Sequence, residues 1–177
     1  ACGGLAMLLR QAIAAQCIWN PGVAFDADAI SRAVLPELVG ELLRAFPIKI
    51  LLVGFMGCGK SAVGRLLAER LGIAFVDLDA EIVRVAGRPI ADLFAERGEA
   101  GFRELERDVA ESALRHGPSA VVAAGGGMPV AEANRQMVRE TNTLVVHIDI
   151  AFEEAWRRIA HDGARPLAHD AEAARGL

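Results

Sequence analysis

The sequence predicts an α/β fold, with a parallel sheet flanked by helices and preceded by an N-terminal helical extension. Three observations predict it. Short apolar runs alternate with helical patterns from Ile48 onward. A glycine-rich turn stands between the first such run and the helix after it. Pro47 separates this alternating region from a purely helical stretch before it. Strands that alternate with helices pair in parallel and are covered on both faces.

The elements follow in order. In residues 1–46, Leu5, Leu8, Leu9, Ala12 and Ile13 recur at helical spacing. A loop at Asn20-Pro21-Gly22 leads to a second helix over Ala27 to Phe46, which Pro36 is expected to break or kink. Ile48 to Val53 reads as a strand buried on both faces. Ser61 to Leu71 is a helix closed by Gly72. Further strands are predicted at Ala74–Val76, Val121–Ala124 and Leu144–Ile148, and helices near 79–86, 89–97, 102–116, 131–139 and 152–161.

Of 177 residues, 53% are apolar and 24% charged, which fits one globular domain with an appendage. The net charge of −4 argues against a nucleic-acid partner, which needs a basic surface. Three cysteines, Cys2, Cys17 and Cys58, have no metal-ligand or redox spacing, so a reducing cytoplasm is expected. The apolar stretch Leu5 to Trp19 is interrupted by Arg10 and Gln11, lacks a preceding basic segment, and is too short to span a bilayer. No membrane partner is expected. The first residue is alanine, which suggests an excised or incomplete sequence.

Gly54-Phe55-Met56-Gly57-Cys58-Gly59-Lys60-Ser61 fits G-x-x-x-x-G-K-[ST] without a gap, with a strand before it and a helix after. This makes the sheet a P-loop NTPase-type sheet. Phosphate oxygens need several backbone N–H donors converging on one point, and glycines let the chain curl closely enough to supply them. The following helix aims its positive end at the same anion. Lys60 can span the β- and γ-phosphates of ATP, and the Ser61 hydroxyl can ligate Mg²⁺. Cys58 reads as a small packing residue within the loop.

The remaining motifs concern what is phosphorylated. Asp77-Leu78-Asp79 leaves the end of the second strand, where ligands sit in open parallel sheets. One carboxylate can hold the Mg²⁺ shell and the other can accept a hydroxyl proton; the competing reading makes Asp79 an ordinary helix cap. Arg103 and Glu106 share a helix face, for which a solvated ion pair is the plain account. Gly125-Gly126-Gly127 follows a strand and allows close backbone approach. Gly163-Ala164-Arg165-Pro166-Leu167 reads as a lid that would place Arg165 on the transferring phosphoryl group.

Together and in this order, over residues 54–167, these segments resemble shikimate kinase. The family carries Gly-Phe-Met-Gly-x-Gly-Lys-Ser, Asp-x-Asp, Gly-Glu-x-x-Phe-Arg-x-x-Glu, Gly-Gly-Gly and a lid Arg-Pro-Leu. The resemblance implies a five-stranded parallel sheet and ATP-dependent phosphorylation of the shikimate 3-hydroxyl, on the route to chorismate and the aromatic amino acids. It assigns Gly57, Cys58, Gly59, Lys60, Ser61 and Ala62 to the nucleotide, with Ser61 and Asp77 at the metal. Asp79 would bind the substrate hydroxyls and act as base. Arg103 would pair with the shikimate carboxylate, oriented by Glu106. Gly125 to Gly127 would line the substrate pocket, Arg158 would lie against adenine, and Arg165 would be the lid arginine.

Ala62 departs from the family's usual threonine, and Ala168 from a usual leucine. The sequence ends 12 residues after Arg165, where the family continues with a helix carrying a second substrate arginine, a strand and a helix. The kinase-like domain over 47–177 is therefore expected to be C-terminally incomplete. Within residues 1–46, Gly4-Leu5-Ala6-Met7-Leu8-Leu9-Arg10-Gln11 resembles the closing segment of shikimate dehydrogenase, whose glutamine falls at Gln11. The chain is read as a fragment of a fused dehydrogenase–kinase, against an unrelated helical extension. Competing functions are another small-metabolite kinase, such as a gluconate kinase, and a regulatory module that binds ATP or a shikimate-like ligand without turnover. Arg103 and the triple glycine argue against the first, and Lys60 and Asp79 against the second.

Overall fold

The computed structural model describes residues 4–159. The chain divides into two compact units, with the boundary between Phe46 and Pro47. The first unit pairs α1 (Gly4–Trp19) with α2 (Ala27–Ala45). Asp26 caps α2, its carboxylate accepting from the Asp28 and Ala29 amides at 3.0 and 2.9 Å. Only Ile13 and Leu43 are buried in these two helices. The expected break at Pro36 does not occur, because α2 runs through it. Pro36 and Arg32 lie on the exposed side, where water can serve the Arg32 carbonyl that proline leaves without a donor.

The second unit begins with β1 (Lys49–Val53), α3 (Lys60–Leu71), β2 (Ala74–Asp77), α4 (Leu78–Ala86) and α5 (Ile90–Arg115). It continues with β3 (Ala120–Ala123), a 3₁₀ turn (Met128–Val130), α6 (Glu132–Arg139), β4 (Thr143–His147) and α7 (Phe152–Ile159). The strands form one parallel sheet in the order β2-β3-β1-β4. Among the described residues there are four strands; the fifth that the resemblance implies has no counterpart among them. Two helices expected near 89–97 and 102–116 meet directly at Gly98, whose φ of 67° breaks α5 into two helical arms.

The period-two alternation of the central strands sorts their side chains into two apolar layers. Leu51 and Val122 face a layer with Leu78, Ile82, Phe102 and Val109 from α4 and α5. Ile50, Leu52 and Val121 face the opposite layer with Ala68 of α3. Both faces of β1 and β3 are thus covered, as a parallel sheet requires. Gly72 ends α3 in a left-handed conformation, as its position in the sequence predicts. The loops that leave the carboxyl ends of β1, β2 and β3 are residues 54–59, Asp77–Asp79 and 124–127, which gathers every central motif at one end of the sheet.

Leu51 is fully buried at the middle of the sheet. Leu51→Ala should lower unfolding stability by about 2–5 kcal/mol through lost transfer energy and a residual cavity. Urea unfolding checks this; a loss below about 1 kcal/mol would show that the neighbouring helices close the gap.

Candidate active site

The loop between β1 and α3 wraps its own lysine. Lys60 Nζ donates to the Gly54 and Phe55 carbonyls at 2.8 and 3.0 Å and lies 3.8 Å from Cys58 Sγ. The ammonium is therefore held over the loop rather than extended into solvent. Cys58 is buried, in agreement with a packing role. Arg158 of α7 reaches back and donates to the Gly57 carbonyl at 3.3 Å, while Glu154 accepts from its Nε at 3.1 Å. An aromatic series, Phe55, Phe152 and Trp156, fastens α7 to the same loop, with ring centroids 5.4 and 5.7 Å apart.

At the first turn of α3, Ser61 Oγ donates to Asp77 Oδ2 at 2.6 Å. The other oxygen of Asp77 accepts from the Asp79 amide at 3.2 Å and caps α4. The capping role that the sequence left open for Asp79 thus belongs to Asp77, and Asp79 stands one step inside the helix. A hydroxyl and a carboxylate in contact form a hard-oxygen pair, the donor type that Mg²⁺ takes together with nucleotide phosphates. Among the described residues there is no cluster of three or more His, Cys, Asp or Glu that could hold a metal without a ligand.

These groups share one cavity of about 240 Å³. It is lined by Gly57, Gly59, Lys60, Ser61 and Ala62 of the loop and helix, with Asp77, Asp79, Gly126 and Arg158. A larger hollow of about 540 Å³ lies elsewhere, beside β2, α4 and α5. Lys49, Ala74 and Ala120, the first residues of three strands, line it, so it opens at the amino ends of the sheet, away from where parallel sheets bind ligands. Lys49 is spoken for there: its buried ammonium donates to the His116 and Pro118 carbonyls at 2.7 and 2.6 Å, and burial lowers its pKa.

The second half of the site is the Arg103–Glu106 pair on α5. Arg103 Nη1 donates to Glu106 Oε2 at 2.7 Å, and Nη2 lies 3.5 Å from Glu99 Oε1. The plain account of a solvated ion pair fails, because Glu106 is only 2% exposed. Burial pushes the Glu106 carboxyl above its ordinary value; Arg103 pulls it back down, and the charge of Asp79 adds to the rise. Burial lowers the Arg103 pKa, but the hydrogen bonds and negative charges of Glu106 and Glu99 together outweigh it and leave it raised.

Three glycines join the two halves. A Cβ on Gly125 would stand 2.8 Å from Glu106 Oε1 and 2.9 Å from Asp79 Oδ1. One on Gly127 would stand 2.6 Å from Arg103 Nη1. One on Gly126 would approach the Met56 amide of the first loop at 3.7 Å. Any side chain at 125 or 127 would thus displace a charged group. The structure therefore brings together Gly57, Gly59, Lys60, Ser61, Ala62, Asp77, Asp79, Arg103, Glu106, Gly125, Gly126, Gly127 and Arg158. Arg165 and the lid sequence lie outside the described residues. Sequence reasoning missed Asn134, which is buried beside this loop; a polar residue three positions before the core-facing Met137 was the available signal.

Known proteins resemble this chain in sequence and fold. The family description "Shikimate kinase" matches residues 56–176. A shikimate kinase of Persephonella marina is 45% identical over 118 residues, covering 67% of this chain and 71% of that protein. One from Thermobifida fusca is 47% identical over 116 residues, covering 66% of each. The chain thus spans about two thirds of the length of these relatives. Among solved structures, the shikimate kinase from Acinetobacter baumannii in complex with shikimate superposes with a TM-score of 0.70 at 36% identity, covering 78% of this chain and 75% of that one.

Because Glu106 holds its proton more tightly in the fold than in the open chain, its contribution to stability is complete below the unfolded pKa of about 4.3 and is lost as pH rises through the higher folded value. Glu106→Gln removes that contribution and keeps an acceptor for Arg103. The stability of the original protein relative to the variant should therefore be greatest at and below the unfolded pKa and shrink as pH rises above it, measured as paired thermal unfolding curves. A difference that grows with pH would mean that Arg103, not burial, governs the carboxyl.

Proposed function

The chain belongs to the shikimate kinase family, and from that premise we propose that it transfers the terminal phosphoryl group of ATP to the 3-hydroxyl of shikimate. The observation that carries the reading is the triple-glycine loop, where an added Cβ would meet the Met56 amide of the phosphate-type loop, the Asp79 carboxylate, or the Arg103–Glu106 pair. A nucleotide cradle alone fits many kinases. A guanidinium braced by a buried carboxylate, seated on a glycine beside that cradle, suits an acceptor with a carboxylate and hydroxyls.

In this reading the amides of residues 57–62 and the Lys60 ammonium receive the nucleotide phosphates. Their anionic oxygens compete with the Gly54 and Phe55 carbonyls for Lys60. Ser61 and Asp77 would supply the protein oxygens for a Mg²⁺ bound with the nucleotide, and that ion would neutralise charge on the phosphates. Ala62 supplies only its backbone amide. Arg103 receives the shikimate carboxylate, and Glu106 keeps its fork aimed. Asp79 accepts the hydroxyl proton as the oxygen attacks. Arg158 donates to the Gly57 carbonyl and in this reading flanks the base of the nucleotide. Among the described residues no helix is long and apolar enough to cross a membrane, and we propose a cytoplasmic enzyme.

A second reading concerns the first unit. Its boundary at Phe46, together with the resemblance of Gly4 to Gln11, supports a covalent link to a shikimate dehydrogenase domain. Reading the source gene in the 5′ direction tests this, and an immediate start codon with no dinucleotide-binding region would refute it.

The test of the main proposal is ADP release coupled to shikimate in the intact gene product. Lys60→Ala should lower turnover about a hundredfold or more with the fold retained; unchanged turnover would sink the nucleotide assignment. Binding without turnover by the unaltered protein would instead mark a regulatory module.

Arg103→Ala should weaken shikimate binding by about 2 kcal/mol while ATP affinity barely moves. Calorimetry with each ligand separates the cases, since equal weakening of both would make Arg103 a structural residue.

A further inference from the structure

The three glycines have no side chains with which to hold their own position, so something else must fix the loop beneath Arg103 and Asp79. We infer that Asn134 is the positioning residue that sets this loop, and that it thereby controls shikimate recognition; the inference rests on the shikimate reading above.

Asn134 is 4% exposed and sits in the first turn of α6, the helix whose Met137 enters the core. Its Nδ2 donates at 2.7 Å to the carbonyl of Met128, the residue that follows Gly127. A buried amide is retained only where its bonds are made, and here the partner is the backbone of the loop itself. Its own N–H donates to the Ala131 carbonyl at 3.1 Å, so both ends of the turn are tied to one residue. The turn closes on the glycines: the Met128 amide donates to the Gly125 carbonyl and the Val130 amide to the Gly127 carbonyl, each at 3.2 Å. Arg135 adds an outer brace, its Nη1 donating to the Pro129 and Val130 carbonyls at 3.1 and 2.6 Å.

The chain of constraint therefore runs from the core through α6 to Asn134, on to Met128, and to Gly127 against the Arg103 guanidinium. The Arg103 guanidinium occupies the space that a Cβ on Gly127 would need, so a shift of the loop toward α5 crowds it and a shift away opens a gap beneath it. Lys60 and Ser61 are placed by β1 and α3, and the glycine loop meets that half only where Gly126 approaches the Met56 amide and borders the cavity. The nucleotide half should therefore respond much less to Asn134 than the acceptor half.

Asn134→Asp keeps the shape and turns the donor into an acceptor facing a carbonyl. In the intact gene product it should raise the KM for shikimate about tenfold or more, with the KM for ATP changed less than about twofold. Hydrogen exchange at the Met128 and Val130 amides should accelerate. Equal changes in both constants, or none, would overturn the inference and leave Asn134 a stabiliser of α6. If Asn134→Asp does not fold, Arg135→Met decides by the same split, since Arg135 is exposed. Should the unaltered protein not phosphorylate shikimate, the parent reading fails, and amide exchange alone still decides: unaltered protection in the variants would refute a positioning role.

Discussion

The buried pair of Arg103 and Glu106 is the constraint around which the second unit's ligand end is arranged. Glu106 is almost fully enclosed, and an enclosed carboxylate is costly unless a cation and further donors compensate it. Arg103 is that cation, yet its side chain is 29% exposed. One end of the pair is thus locked into the core while the other remains able to meet a ligand. Gly125 fits against the carboxylate end and Gly127 against the guanidinium end, so the loop follows the pair's shape because neither residue has a side chain. Asp79 completes the arrangement and raises the tension in it, because its charge lies close enough to push the Glu106 carboxyl upward.

Much of this was legible in the sequence. The strand–turn–helix around Gly54 to Ser61 is legible by spacing alone, since a gapless glycine loop before a helix converges amides on a phosphate. The alternation of apolar runs and helical patterns gave the parallel sheet, and Gly72 marked the end of α3. Pairing order was not legible, because a run such as Val121 to Ala124 carries no record of whether β1 or β2 lies beside it. Of the break or kink expected at Pro36, the break does not occur, for a local reason: the cost of proline depends on whether water can reach the carbonyl it abandons, and exposure is a tertiary fact.

The site itself divides in the same way. Lys60 and Ser61 could be placed from the motif, because their roles follow from backbone geometry that the motif enforces. Arg103 and Glu106, three apart on a helix, looked like any solvated pair until the fold buried one of them. The Asp77 and Asp79 roles needed the helix boundary, which no sequence period specifies to one residue. Asn134 is the sharpest case, since nothing in its neighbourhood marks it except that a polar residue stands on the apolar side of a short helix.

This contrast explains why the two halves of the site rest on different kinds of structure. The phosphate half is built from a strand, a tight loop and a helix that are contiguous in sequence, so local rules assemble it. The acceptor half draws Asp79 from α4, Arg103 and Glu106 from α5, and the glycines from the end of β3, so only the packed unit brings it together. Local assembly suits a ligand group common to many enzymes, namely the phosphates. Assembly through packing suits recognition of one acceptor, because a small change in how α5 or α6 seats on the sheet alters the acceptor half and leaves the phosphate half in place.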